Sequence, residues 1–273
     1  MSKVQISIGA TTDKGNIKTV NQDAFLCKIG SSDSNEFGLF VVCDGLGGLE
    51  CGEIASSTII KNFNKWWDYD IKEIMKSSNI ENIIISSLEN IINKSNKELI
   101  EYSKKMNYKM GSTTTVLFIM NKKYYISHIG DSRIYLIDKK VRQLTLDHTQ
   151  YEMLRKQGKY EELKNARKNV LTQCVGVNEA LDIQSHIGTI KNNTNFLICS
   201  DGFYHKMSER EIYKRFKSRK LESDSLQEEC ENLVDDIKQM GERDNITLIT
   251  IKVKVKNVIS YSKIKKYLTV NKM

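Results

Sequence analysis

The chain has 273 residues, 40% hydrophobic and 28% charged, with 42 Lys and Arg against 34 Asp and Glu for a formal net charge of +8. This length holds one large domain or two small ones, and the apolar fraction suffices for a buried core, which excludes wholesale disorder. The lysines are spread along the whole chain with no basic block interleaved with aromatics, and proline is absent, so the positive balance reads as compositional bias and argues against nucleic acid as a partner.

The chain opens on a polar, strand-like segment with no apolar signal region, and Val4 to Ala10 is the first strand candidate. Ala24 to Lys28 and Gly38 to Cys43 follow as strands. Helices are expected over Ile54 to Trp67 and Ile80 to Lys105, the second because Ile80, Ile84, Leu88, Ile91, Ile92 and Leu99 recur near helical spacing. β-Branched and aromatic content marks strands at Thr114 to Met120, Tyr124 to Ile129 and Arg133 to Ile137, with turns at Asn121-Lys122-Lys123 and Asp138-Lys139-Lys140. Residues His148 to Lys168 read as polar and helical, a mobile flap near a site. Strands then return at Ile183 to Thr189, Asn195 to Cys199 and Asn245 to Val253. Between the last two lie helices over Ser208 to Lys217 and Leu226 to Met240, the first opened by the capping box Ser208-x-x-Glu211. The expected division is one domain over residues 1–256 and a basic tail over 257–273. Adjacent hairpins with helices inserted in pairs argue for antiparallel sheets covered by helices, not for an alternating parallel-sheet pattern.

The six cysteines form no C-x-x-C pair and no zinc-like cluster, and most sit inside apolar runs as small hydrophobes. No apolar stretch approaches the length of a bilayer span. A reduced, cytoplasmic setting without a membrane partner is expected.

Four aspartates in short, separated motifs carry the chemistry. They are Asp44 in Asp44-Gly45-Leu46-Gly47-Gly48, Asp131 in Gly130-Asp131-Ser132-Arg133, Asp201 in Ser200-Asp201-Gly202 and Asp244 in Arg243-Asp244-Asn245. Three of them follow runs that read as buried strands. A carboxylate at such an end is costly unless it meets a cation. Several gathered together would form an oxygen-only cage suited to magnesium or manganese, and paired ions can activate water and clamp a phosphoryl group. Taken singly, each motif is equally a glycine-rich turn, a hairpin turn or an N-cap. The spacing of Gly47 and Gly52 matches a P-loop, but Glu53-Ile54 stands where Lys and Ser or Thr are required, which excludes it.

In order along the chain, Thr12-Asp13-x-Gly15 with Asn21-Gln22-Asp23, the Asp44 loop, Gly111-Ser112-Thr113-Thr114, the Asp131 loop, Leu144-Thr145-x-Asp147-His148, Asn169-x-Leu171-Thr172, Ser200-Asp201-Gly202 and Asp244-Asn245-x-Thr247 resemble the bacterial branch of the metal-dependent type 2C serine/threonine protein phosphatases. The resemblance runs from about Ile6 to Val253. It implies an α+β fold, a four-layer sandwich of two antiparallel β-sheets flanked by α-helices on both sides, with two core manganese or magnesium ions at one end. It further implies that Asp44 bridges both ions, that the Gly45 carbonyl binds one, and that Asp201 and Asp244 bind the other. Asp131 would share a third, weaker ion with Asp201, and Asp23 would orient water. Phosphorylated proteins, among them a cognate Ser/Thr kinase, would be the partners.

The chain departs from the family pattern at three positions. Lys18 stands where Arg usually clamps the substrate phosphate, offering a point charge in place of a two-pronged donor. Gln22 replaces a frequent Glu, and Lys168 precedes Asn169 where Arg is common. Leu46 fills the place of a candidate general-acid histidine in eukaryotic relatives. His128, His148, His186 and His205 are not spaced as metal ligands, and His148 is expected to be structural or flap-associated. A phosphoserine/phosphothreonine phosphatase with Asp23 and Lys18 as catalytic groups is the leading expectation. The alternative is a sensor or scaffold of the same fold that binds phosphoproteins without turnover.

Overall fold

A computed structural model describes residues 2–32, 35–46, 51–77, 79–191, 194–216 and 223–257. Strands β1 (Ser2–Asp13), β10 (Ile246–Asn257), β9 (Thr194–Cys199), β6 (Arg133–Ile137) and β7 (Val141–Gln143) lie in that order in one antiparallel sheet. Strands β2 (Asp23–Ser32), β3 (Asn35–Asp44), β4 (Thr114–Met120), β5 (Lys123–Ile129) and β8 (Gln184–Thr189) form the second. Among the described residues, no helix is long and apolar enough to cross a membrane.

Three apolar layers separate four structural ones. Phe40, Val42, Leu117, Ile126, Ile198 and Ile251 fill the space between the sheets. Alternate residues of the same strands, such as Leu39, Val41, Val116 and Phe118, pack under α1 (Gly52–Tyr69), α2 (Ile71–Ile74) and α3 (Ile80–Met106). On the far side Leu197, Cys199 and Leu248 meet Phe203, Ile212, Leu233 and Ile237 from α5 (Asp201–Tyr204), α6 (Glu209–Phe216) and α7 (Ser223–Gln239). This is the four-layer α+β sandwich expected. All seven residues of β4 are buried, as the continuous apolar run of a central strand covered on both faces requires.

Local chemistry explains the boundaries. Asn121 and Lys122, at φ 50 and 62, form the two-residue turn between β4 and β5, where positive φ at both positions matches the twist of the strands. Ser208 and Glu211 cap α6 reciprocally: the Ser208 amide donates to Glu211 Oε2 at 2.8 Å and the Glu211 amide to Ser208 Oγ at 3.3 Å. Strands β1, β2, β3 and β10 run longer than the apolar patterns indicate. The helical expectation for His148 to Lys168 holds only in part. Helix α4 covers Gln150–Lys156, Gly158 at φ 70 follows it, and a 3-10 turn spans Glu162–Asn165. The tail, beyond Asn257, lies outside the described residues.

One end of the sandwich concentrates the motifs. There β1 ends at Asp13, β2 begins at Asp23, β3 ends at Asp44, β5 ends before the Asp131 turn, β9 ends before Asp201 and β10 begins after Asp244. The long β1–β10 ladder puts Asp13 opposite Ile246, and the β2–β3 ladder pairs Asp23 with Asp44 directly.

Candidate metal centre

Asp44 is held by its neighbour strand. Its amide donates to Thr113 Oγ1 at 2.9 Å, and its carbonyl accepts from the Thr113 amide at 2.8 Å and from Ser112 Oγ at 2.9 Å. The Leu46 amide donates to the Gly111 carbonyl at 3.0 Å. These ladder bonds flank Gly45 and use neither of its polar groups; its amide donates instead to the Gln22 carbonyl at 3.1 Å. Only glycine fits there, since a Cβ would lie 2.4 Å from the Gly52 carbonyl oxygen and 2.6 Å from that of Gln22. Gly47 and Gly48 lie outside the described residues.

Asp23 is buried, with Oδ2 accepting from Ser200 Oγ at 2.8 Å. Ser200 Oγ accepts in turn from the Thr247 amide at 3.0 Å, which ties Asp23 to β10. The other oxygen, Oδ1, is buried without a hydrogen-bond partner. Asp201 opens α5 directly after Ser200, and Gly202 lets that helix approach Asn245, whose carbonyl oxygen would sit 2.1 Å from an added Cβ. The Asn245 side chain fastens the 14–22 loop: Nδ2 donates to the Lys14 and Val20 carbonyls at 2.9 and 3.2 Å, and Oδ1 accepts from the Gln22 amide at 2.9 Å. That loop delivers Lys18, whose Nζ lies 2.8 Å from Asp244 Oδ1. Gln22 Nε2 donates to Glu53 Oε2 at 3.3 Å.

Asp131 is buried in the β5–β6 turn, which Gly130 enters at φ 109. His148 clamps the turn: its amide donates to the Gly130 carbonyl at 2.7 Å, and Nδ1 accepts from the Gly130 amide at 3.1 Å. Thr113 Oγ1 is 2.8 Å from Ser132 Oγ, so one hydroxyl links the Asp44 and Asp131 elements. Neither the His148 clamp nor the anchoring by Asn245 was visible in the motifs; a polar residue in a run such as Asp147-His148 or Asp244-Asn245 was the only signal.

The electrostatics are those of crowded carboxylates. Burial, then Asp23, Asp201, Asp131 and Asp244, hold the Asp44 carboxyl well above the usual range. Burial raises Asp23 to about 7, with Asp201 and Asp244 adding to it and the Thr247 and Ser200 hydroxyls opposing. Burial and Asp201 push Asp131 up to about 8, against the Arg133 charge. Burial raises Asp201 as well, with Asp244 and Glu242 assisting and His205 opposing. Burial lowers the proton affinity of Lys18, but Asp244, Asp44 and Asp201 raise it further. Asp23, Asp44, Asp131 and Asp201 thus share one electrostatic environment that favours a proton or a cation.

Among the described residues, no group of three or more His, Cys, Asp or Glu side chains is gathered closely enough to hold a metal ion as the side chains stand. The donor chemistry nevertheless fits hard divalent cations: every group is a carboxylate or a carbonyl, Asp23 and Asp131 are buried, and Asp23 Oδ1 is an orphan. Two larger surface grooves, of about 640 and 740 Å³, lie against α1, α2 and α3 and hold none of these carboxylates.

The family model described as Protein phosphatase 2C matches residues 8–154, and that described as Stage II sporulation protein E (SpoIIE) matches residues 84–254. The chain is 28% identical over 248 residues to the serine/threonine phosphatase stp of Listeria monocytogenes, covering 88% of this chain and 93% of the relative. It is 28% identical over 254 residues to the protein phosphatase PhpP of Streptococcus pneumoniae, covering 90% and 97%. Among solved structures, the S. agalactiae serine/threonine phosphatase superposes with a TM-score of 0.75 at 25% identity, over 90% of this chain and 99% of that one. The catalytic domain of PstP in complex with two manganese ions shares the fold, with a TM-score of 0.73 at 20% identity over 92% and 100%.

Proposed function

The chain belongs to the protein phosphatase 2C family, and from that premise we propose how its own residues divide the work. It is a metal-dependent serine/threonine phosphatase acting on phosphorylated proteins. The observation that carries the assignment of residues is the mutual crowding of Asp44 with Asp23, Asp131, Asp201 and Asp244 at one end of the sandwich. Asp44 and the Gly45 carbonyl, with Asp201 and Asp244, would hold two core ions, and Asp131 with Asp201 a weaker third. When bound, the ions activate water and offset the charge of the phosphoryl oxygens. Manganese or magnesium is the expected occupant.

Asp23 orients the attacking water: Ser200 fixes one of its oxygens and leaves Oδ1 to accept a hydrogen bond. Lys18, which pairs with Asp244, would donate to the substrate phosphate as a point charge if Asp244 held a divalent ion. Leu46 supplies no proton, so the leaving alkoxide takes one from solvent. Residues 148–168 serve as a flap beside the Asp131 turn. The setting is cytoplasmic signalling, opposing a Ser/Thr kinase that is itself a substrate.

The test is phosphate release from a phosphothreonine peptide with and without manganese. Turnover that chelation abolishes and manganese restores is expected; turnover surviving exhaustive chelation overturns the assignment. Peptide binding without turnover in saturating manganese would instead identify a non-catalytic sensor.

A further inference from the structure

Arg133, the first residue of β6, stands two positions after Asp131. Its guanidinium is held along its edges and on one face. Nε donates to Asp147 Oδ1 and Oδ2 at 3.1 and 3.2 Å, and Nη2 donates to Oδ2 at 2.6 Å. Nη1 donates to the Tyr135 hydroxyl at 3.0 Å. The flat face of the fork lies 3.6 Å from the centroid of the Tyr204 ring. All three nitrogens are therefore engaged within the protein, which separates Arg133 from a phosphate-binding role.

The partners belong to elements that carry two different carboxylates. Asp147 lies in the segment that runs back along the Asp131 turn, where the Leu144 amide donates to the Ile134 carbonyl and the His148 amide to the Gly130 carbonyl, both at 2.7 Å. Gln143 Nε2 donates to Asp147 Oδ1 at 2.7 Å and fixes that carboxylate in turn. Tyr204 closes α5, the short helix that Asp201 opens. The Tyr204 phenol is partly buried, and after burial its two largest influences are Asp131 and Asp201. Arg133 thus joins the Asp131 turn to the Asp201 helix through one planar cation.

On the basis of the metal-dependent phosphatase reading above, we propose that Arg133 is a positioning residue that sets Asp131 relative to Asp201, and so sets the affinity of the weak ion site the two share. The geometry calls for arginine. A lysine at this position cannot bond both oxygens of Asp147 and Tyr135 while lying flat on an aromatic face. Partners of this kind, one shell behind the ligands, change metal affinity by about 10- to 100-fold when removed.

The experiment titrates manganese, without substrate, into the wild type, Arg133→Lys, Tyr204→Leu and the double variant, following free manganese by electron paramagnetic resonance. Thermal unfolding in chelator serves as the fold control. Each single variant is expected to raise the Kd of the weakest site about tenfold and to move the tighter sites much less, since Asp201 also serves one of them. The double variant should weaken that site by less than the product of the two, because both act through one contact. An unmoved weak-site Kd in folded variants overturns the proposal, as does equal weakening of every site, which a merely structural role would produce. Should Arg133→Lys fail to fold, Tyr204→Leu alone decides by the same criterion. A wild type that binds no manganese and releases no phosphate sinks the phosphatase reading; a normal wild type with unmoved variants sinks only the role of Arg133.

Discussion

Lys18 Nζ and Asp244 Oδ1 are 2.8 Å apart, an ion pair in which each side chain is roughly one third exposed, 32% and 40%. The ammonium pairs with one of the carboxylates that would hold a divalent ion. One lysine is thereby given two successive partners, a carboxylate and then a phosphate. Lys18→Ala is expected to lower kcat/KM on a phosphothreonine peptide about tenfold, mostly through KM, since a hydrogen bond to a charged group contributes about 1.5–3 kcal/mol. Lys18→Arg should lower KM modestly, because the fork restores two-pronged recognition of the phosphate. Steady-state kinetics of Lys18→Ala matching the wild type would reduce Lys18 to a surface charge.

Asp44→Asn separates activity from stability. Removing the central carboxylate should cut turnover by several orders of magnitude, and Asp201→Asn and Asp244→Asn should follow. Without metal, the same Asp44 change relieves repulsion from Asp23, Asp131 and Asp201, so the melting temperature in chelator is expected to rise. Calorimetry in chelator and in manganese checks both halves. A lower melting temperature in chelator would show that Asp44 is compensated in some other way.

Gly202→Ala probes the spacing of Asp201 and Asp244. A Cβ at position 202 would meet the Asn245 carbonyl oxygen at 2.1 Å, and such overpacking costs about 1–3 kcal/mol. Because Asn245 adjoins Asp244, activity should fall further than stability, and raising manganese should restore only part of it. Wild-type activity in a variant of lowered melting temperature would show that the backbone yields without moving the carboxylates.

His128 governs the acid limb of stability. Burial, and then His148, push it down to about 3 from an ordinary 6.5. Its Nδ1 pairs with Thr115 Oγ1 at 2.8 Å, and Nε2 is buried without a partner. The folded-state value lies below the unfolded one, so the unfolded chain binds the extra proton and stability drops as pH falls from 6.5 towards 3. Between pH 6.5 and 5, His128 accounts for ~1.5 kcal/mol of that loss. Urea unfolding of His128→Gln in chelator should show a correspondingly shallower decline. An identical decline would place the acid sensitivity elsewhere.

The strands β4 and β6 were legible to the residue, because dense β-branched and aromatic runs end at turn residues on both sides. The four motif aspartates were legible as strand-end residues, three following a buried run and Asp244 preceding β10. Strand β7, three residues long, carries too little pattern to be seen. Contacts between distant segments were invisible for a different reason. Asn245 holding Lys14 and Val20, or Arg133 lying on Tyr204, depends on which sequence-distant strands pair within one sheet, and nothing local to either residue encodes it. The Lys18 pairing belongs to the same class: the motif placed a cation near phosphate, while its carboxylate partner is a property of the packed fold.

The ladder between β1 and β10 has a consequence for biosynthesis. Ser2 pairs with Asn257 and Asp13 with Ile246, so the first strand to leave the ribosome waits for the last before it can hydrogen-bond in its sheet. Pairings of such long sequence separation form slowly. Asp23 leans on Ser200 and Thr247, so the nascent chain carries its acidic groups through nearly all of translation without the scaffold that confines them. A ribosome-bound chain arrested before residue 244 should therefore bind manganese no better than an unfolded peptide, and hydrolytic capacity should arrive in one step once β10 has emerged.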